Sequence, residues 1–141
     1  TYIANPGGQL AAERAVTMYT QNASGIVDPS YRDVETMYTL SYLRYSVRAR
    51  IAQKFPRHKL ANDGTIFDAG QVVATPSMIR AEMIALFRQW EEVALVEDFD
   101  QFKADLQVVR SSTDVNRIDV LLPPNLINQF RVLAAQIQFR L

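Results

Sequence analysis

The residue types that carry chemistry are sparse and poorly grouped. His58 is the only histidine. With Asp63 or Asp68 nearby in sequence it has the parts of a general base and its orienting carboxylate, the minimum for a small hydrolase. It sits, however, in Arg57-His58-Lys59, just past the end of a helical pattern. Cations there complement the helix dipole, so a solvated loop position accounts for the residue without catalysis. Ser46 and Ser77 supply hydroxyls but no G-x-S-x-G elbow, and the chain has neither a P-loop nor a G-x-G-x-x-G. Glu97, Asp98 and Asp100 are close together but lack the spacing of a calcium loop. Cysteine is absent, which removes disulfides, thiolate zinc sites and a thiol nucleophile. The sequence therefore assigns no catalytic, cofactor-binding or metal site, and it is read as that of a protein other than an enzyme.

The elements that would position any site are clearer. At 141 residues the chain has the size of one domain, and its apolar fraction of 48% is enough for a core. Lys+Arg and Asp+Glu are both 15. A neutral chain without a reader motif gives no reason to expect nucleic acid as a partner. No apolar run approaches the length of a membrane span. The chain starts at Thr1, which reads as a piece of a longer protein.

Residues 1–10 contain Asn5-Pro6-Gly7-Gly8 and read as a linker or loop. Alternation over 11–22 predicts a strand. A long helix is expected over 31–55, mostly buried through Val34, Met37, Tyr38, Leu40, Leu43, Tyr45, Val47 and Ile51, and stopped by Pro56. Thr75-Pro76 opens a second helix, reaching to about Val96, with Ile79, Met83, Leu86, Phe87 and Trp90 on its apolar stripe. The tyrosines at 38, 42 and 45, like Trp90, read as core rather than as a binding platform. A short helical turn is expected over 98–103. Leu106, Val108 and Arg110, then Ile118, Val120 and Leu122, alternate on either side of a polar stretch and predict a hairpin. Residues 129–141 read as a final strand or arm, with Arg131, Leu133, Ala135, Ile137, Phe139 and Leu141 on one face. The fold class is α+β: two long helices packed on a mostly antiparallel sheet in a single compact domain.

Two charge runs stand out. Thr36–Asn62 carries Arg44, Arg48, Arg50, Lys54, Arg57 and Lys59 and no acid. Glu91–Asp105 carries Glu91, Glu92, Glu97, Asp98, Asp100 and Asp105 against the single cation Lys103. They are either solvated faces, paired within one chain, or complementary patches on neighbouring subunits. The C-terminal stretch poses the same choice. Ile137, Phe139 and Leu141 belong either to the last strand of their own sheet or to a strand added to a neighbour.

Several stretches resemble, in order, the tail sheath proteins of Mu-like contractile-tailed phages. They are Asp28-Pro29-Ser30-Tyr31, Asp33-Val34-Glu35-Thr36, Tyr42-Leu43-Arg44-Tyr45 and the run Lys54 to Thr65. Thr75 to Glu82, Asp98 to Lys103, Asn116 to Asn125 and Gln136 to Phe139 follow. The resemblance implies the C-terminal core domain of a sheath subunit over 1–141. It implies a virion structural protein, assembled in the bacterial cytoplasm, that stacks into a helical tube around the inner tail tube and contracts during genome delivery. Implied partners are other sheath subunits, the tail tube protein, and baseplate and tail terminator proteins, with no nucleic acid, membrane or cofactor. Terminal arms are implied to add strands to neighbouring subunits. The alternative is a non-polymerising adaptor or terminator module of a tail or contractile secretion machine.

Overall fold

The computed structural model describes residues 2–4, 7–12 and 14–140. Its centre is a helix, α2 (Pro76–Glu92), which the sequence specifies at both ends. Thr75 is the N-cap, its hydroxyl accepting from the N–H of Met78 at 3.4 Å, and Pro76 occupies the first turn, where its missing N–H costs nothing. The helix stops at Glu92, short of the expected Val96. The N–H of Leu95 donates to the carbonyl of Trp90 and that of Ala94 to Glu91, both at 2.9 Å. This six-to-one and five-to-two pairing closes the helix with Ala94 left-handed at φ 56. Val93 is thereby turned outward.

Ile79, Met83, Leu86, Phe87 and Trp90 are buried, as the stripe predicts. Phe87 is fully enclosed and stacks on Phe102 at 4.1 Å between centroids. Phe102 comes from the short helix α3 (Phe99–Asp105), and Val96 and Leu106 close the core around it. The long helix α1 (Val34–Lys54) crosses α2 and gives it Leu43, with Val47 and Ile51 partly buried. The buried indole N–H of Trp90 donates to Ser46 Oγ at 3.0 Å, tying the two helices together.

The strands depart from the expected sheet. Among the described residues there is no common sheet but four separate two-stranded pairs, three antiparallel and one parallel. β1 (Tyr2–Ala4) pairs with β2 (Leu10–Ala12), where a linker was expected. β3 (Lys59–Leu60) runs parallel to β4 (Val73–Ala74). β5 (Val96–Glu97) pairs with β8 (Asn125–Leu126). The expected hairpin is present as β6 (Gln107–Arg110) and β7 (Ile118–Leu121), in register from Gln107↔Leu121 to Arg110↔Ile118. It lies against α2, and Arg80 of α2 donates to the carbonyls of Lys103 and Leu106, at the end of α3 just ahead of β6.

The strand expected over 11–22 is mostly absent. Past β2, among the described residues, only isolated bridges form, Val16 with Asp33 and Gln21 with Val27. Short polar side chains satisfy the backbone locally instead. Asn22 Oδ1 accepts from the N–H groups of Ser24 and Ile26, and Asp28 Oδ1 accepts from that of Ser30. Such local bonds compete with a ladder. The expected terminal strand is absent too: residues 127–140 carry no regular structure and 129–140 are exposed. Leu141 lies outside the described residues. Among the described residues, no helix is long and apolar enough to cross a membrane.

Candidate subunit interface

The residues with chemical potential do not converge. His58 Nδ1 lies 3.1 Å from the carbonyl of Pro56, and its ring meets Phe55 edge-on. Among the described residues neither Asp63 nor Asp68 bonds to it. Asp63 instead accepts from the N–H of Ser77 at 3.0 Å, at the start of α2. Bonds from Ser77, side chain first, hold its carboxyl below the usual range. Ser46 donates to the carbonyl of Leu43 while accepting from Trp90, which is a packing role. Among the described residues, no three His, Cys, Asp or Glu side chains form a metal-binding group.

The two charge runs do not pair with each other. Arg50 and Lys54 reach Glu82 of α2, at 3.6 and 3.7 Å, and Arg50 also bonds Gln89. Glu91 bonds Arg88 at 2.6 Å within its own helix, and Arg88 also covers the Phe99 ring at 3.3 Å. Asp98, left-handed at φ 63, accepts from the Asn125 side chain. Arg44, Arg48, Arg57, Lys59, Glu92 and Glu97 make no ion pair among the described residues, and all six are exposed. The reading in which the two runs satisfy each other within one chain is therefore corrected. The cations that are neutralised use an acid outside both runs.

Sequence reasoning missed a second surface. Tyr38, Tyr42 and Tyr45 are 74, 49 and 69% exposed, not core. Helix α1 carries two stripes, Leu43-Val47-Ile51 and Tyr38-Tyr42-Tyr45, and only the first packs into the core. The aromatic stripe adjoins Arg44 and Arg48, which line an open groove with Tyr45, Ala49 and Ala52. Tyrosine and arginine are the side chains most often found at the centre of protein interfaces.

The third surface is the C-terminal arm. Phe130, Val132, Leu133, Ile137 and Phe139 are each at least 79% exposed. The arm is fastened at its root. Asp33, just ahead of α1, receives Arg14 through two bonds, Nε to Oδ1 at 2.7 Å and Nη2 to Oδ2 at 2.9 Å. Arg131 donates from Nη1 to the same Oδ1 at 3.2 Å. Arg14 chiefly, and Arg131 with it, hold the Asp33 carboxyl down to about 2. A polar cavity of about 200 Å³ lies between this cluster and the Leu95 and Leu126 backbone region.

Residues 27–140 match the model of the phage tail sheath C-terminal domain family. The chain belongs to that family. It is also 55% identical, over 139 residues and 99% of its length, to the Mu-like prophage FluMu tail sheath protein of Haemophilus influenzae (strain ATCC 51907 / DSM 11121 / KW20 / Rd). The chain spans 28% of that relative's length. As a tail sheath C-terminal domain, it is a mixed α/β unit, with three helices and small strand pairs among the described residues, that belongs to a structural phage family. The matched span takes in α1, α2, the hairpin and the arm, and it begins just before Asp33.

Proposed function

We propose that this sheath C-terminal domain is the core from which a contractile tail sheath subunit assembles with copies of itself. The polymer is a helical tube around the inner tail tube of a phage virion, put together in the bacterial cytoplasm and shortened during genome delivery. The observation that carries this reading is the arm, 129–140, whose Phe130, Val132, Leu133, Ile137 and Phe139 are exposed on a domain whose core is already closed without them. Beyond Ile127, among the described residues, no arm backbone group bonds to backbone elsewhere in the domain. Alternating side chains and unsatisfied backbone are what a strand brings to a sheet edge on another molecule. Among the described residues the hairpin β6–β7 has two strands, and no third strand pairs with either edge.

The charged residues support the same reading. Arg44, Arg48, Arg57 and Lys59 on one copy are suited to meet Glu92, Glu97 and Asp98 on the next, fixing register between subunits. Arg50, Lys54 and Glu91 already have partners inside the domain and serve the helix pair instead. Ile137 and Phe139, with Leu141 at the end of the arm, are the apolar anchors of the strand. Tail tube, baseplate and terminator proteins are the remaining partners of such a lattice, and no nucleotide or other cofactor enters.

Negative-stain electron microscopy of the full-length protein expressed alone tests this reading. Hollow striated tubes are expected. Closed rings of one size would replace it with the adaptor or terminator reading, because a heterologous contact that closes cannot give a filament.

A further inference from the structure

The two arginines that hold Asp33 are not equivalent. Arg14 grips both carboxylate oxygens, whereas Arg131 makes one longer bond to an oxygen that Arg14 already uses. Glu35, in the first turn of α1, lines the same cavity, and its Oε2 is buried without a hydrogen-bond partner among the described residues. Two carboxylates thus face Arg131, but only one bonds it. If Arg131 lets go, Asp33 keeps both bonds from Arg14, so release does not strand the carboxylate that Arg131 leaves.

Release also has a geometric consequence. With Arg131 bound, the arm starts at Val132. With Arg131 free, the nearest fixed point is Ile127, whose N–H donates to the carbonyl of Leu95 at 3.1 Å. The arm then gains Asn128 to Arg131, all exposed and without regular structure. At about 3.3 Å per extended residue those four positions add about 13 Å to a reach of about 33 Å for Val132–Leu141.

We propose that Arg14, Asp33 and Arg131 form a releasable clasp that gives the C-terminal arm two lengths, a short one with Arg131 bound and a long one with Arg131 free. Arg14 is the fixed leg and Arg131 the leg that opens. The proposal rests on the reading of the arm as a link to a neighbouring copy, since only a link needs slack. Subunits that change their spacing while staying joined require a tether that lengthens before it breaks, and the clasp supplies that length at one ion pair.

The test is a distance measurement by pulsed electron resonance on the full-length protein, held below its assembly concentration. Spin labels are placed at Gln53→Cys on α1 and Gln136→Cys on the arm, with no other free cysteine. Arg131→Gln is expected to broaden the distance distribution and extend it by up to about 13 Å. Arg131→Lys, which can still make a single bond, restores the narrow distribution. The unsubstituted protein in about 1 M salt, where charges are screened beyond about 3 Å, shifts the same way as Arg131→Gln and reports even where a variant fails to fold. Distributions that superimpose in all three would overturn the clasp. The arm reading fails separately, if Ile137→Ala/Phe139→Ala protein assembles as readily as the parent.

Discussion

Replacing Ile137 and Phe139 together by alanine separates what the arm does for its own domain from what it does for a neighbour. In the single chain these side chains are 93 and 80% exposed, so their loss removes nothing from the core. Unfolding free energy is expected to change by no more than about 0.5 kcal/mol. If a neighbour buries them, the difference is large. Full burial of such a side chain is worth about 1.5–3 kcal/mol, so truncating both forfeits about 4 kcal/mol at each link. Because the substituted arm must be ordered as fully as the original, that cost cancels in the comparison. At about 1.4 kcal/mol per factor of ten, the concentration needed for assembly rises close to a thousandfold, or about 10³. Pelleting of assembled full-length protein across a dilution series measures the threshold, and thermal melting of dilute protein measures the fold. An unchanged threshold would refute burial by a neighbour. A melt lowered by many degrees, with the threshold moved in proportion, would place the arm in its own core.

Four further outcomes are expected. Phe87→Ala empties the centre of the Phe102, Phe99 and Trp90 cluster and is expected to cost about 3–5 kcal/mol in denaturant titrations; a loss below about 1 kcal/mol would contradict the packing described. His58→Ala is expected to leave both assembly and stability unchanged, whereas loss of assembly would give the imidazole a role beyond its loop. Raising salt from about 0.1 to about 1 M shortens the screening length from about 10 to about 3 Å, and assembly thresholds measured by light scattering are expected to rise; indifference to salt would count against charged patches as register contacts. The Asp33 carboxyl is lowered from 3.8 to about 2 by Arg14 and then Arg131, with Glu35 the other acid nearby. Its contribution is therefore complete above its unfolded value and lost as pH falls through about 2. The spin-labelled arm is expected to stay clasped at about pH 5 and to lengthen only as pH falls toward about 2, because Arg14 holds the Asp33 carboxyl down whether or not Arg131 is bound.

How much of this was legible depends on how local the determinants are. Helix α2 could be read because its cap, its proline and its apolar stripe all lie within one stretch of sequence. The hairpin β6–β7 was legible for the same reason, as two alternating runs around a polar turn. The existence of α1 was readable but its buried face was not. Tyrosine is apolar enough to extend the stripe on paper, and only the position of α2 decides which side is covered. The sheet failed because its pairings are distant: β5 meets β8 across α3 and the whole hairpin. Alternation in 131–141 reports a side-chain pattern fit for a sheet face, but a strand also needs a partner, and among the described residues this stretch pairs with none. The clasp could not be read at all. Arg14 and Arg131 lie 19 and 98 residues from Asp33, and each taken alone is an ordinary surface arginine.

The most direct measurement is a cryo-electron microscopy reconstruction of assembled full-length protein, at a resolution that traces the chain through residues 127–140. The account predicts an open helical tube in which that stretch leaves its own domain after Ile127 or Arg131 and runs as a strand along a neighbouring copy. An arm folded back on its own domain, in a tube or a closed ring, would contradict it.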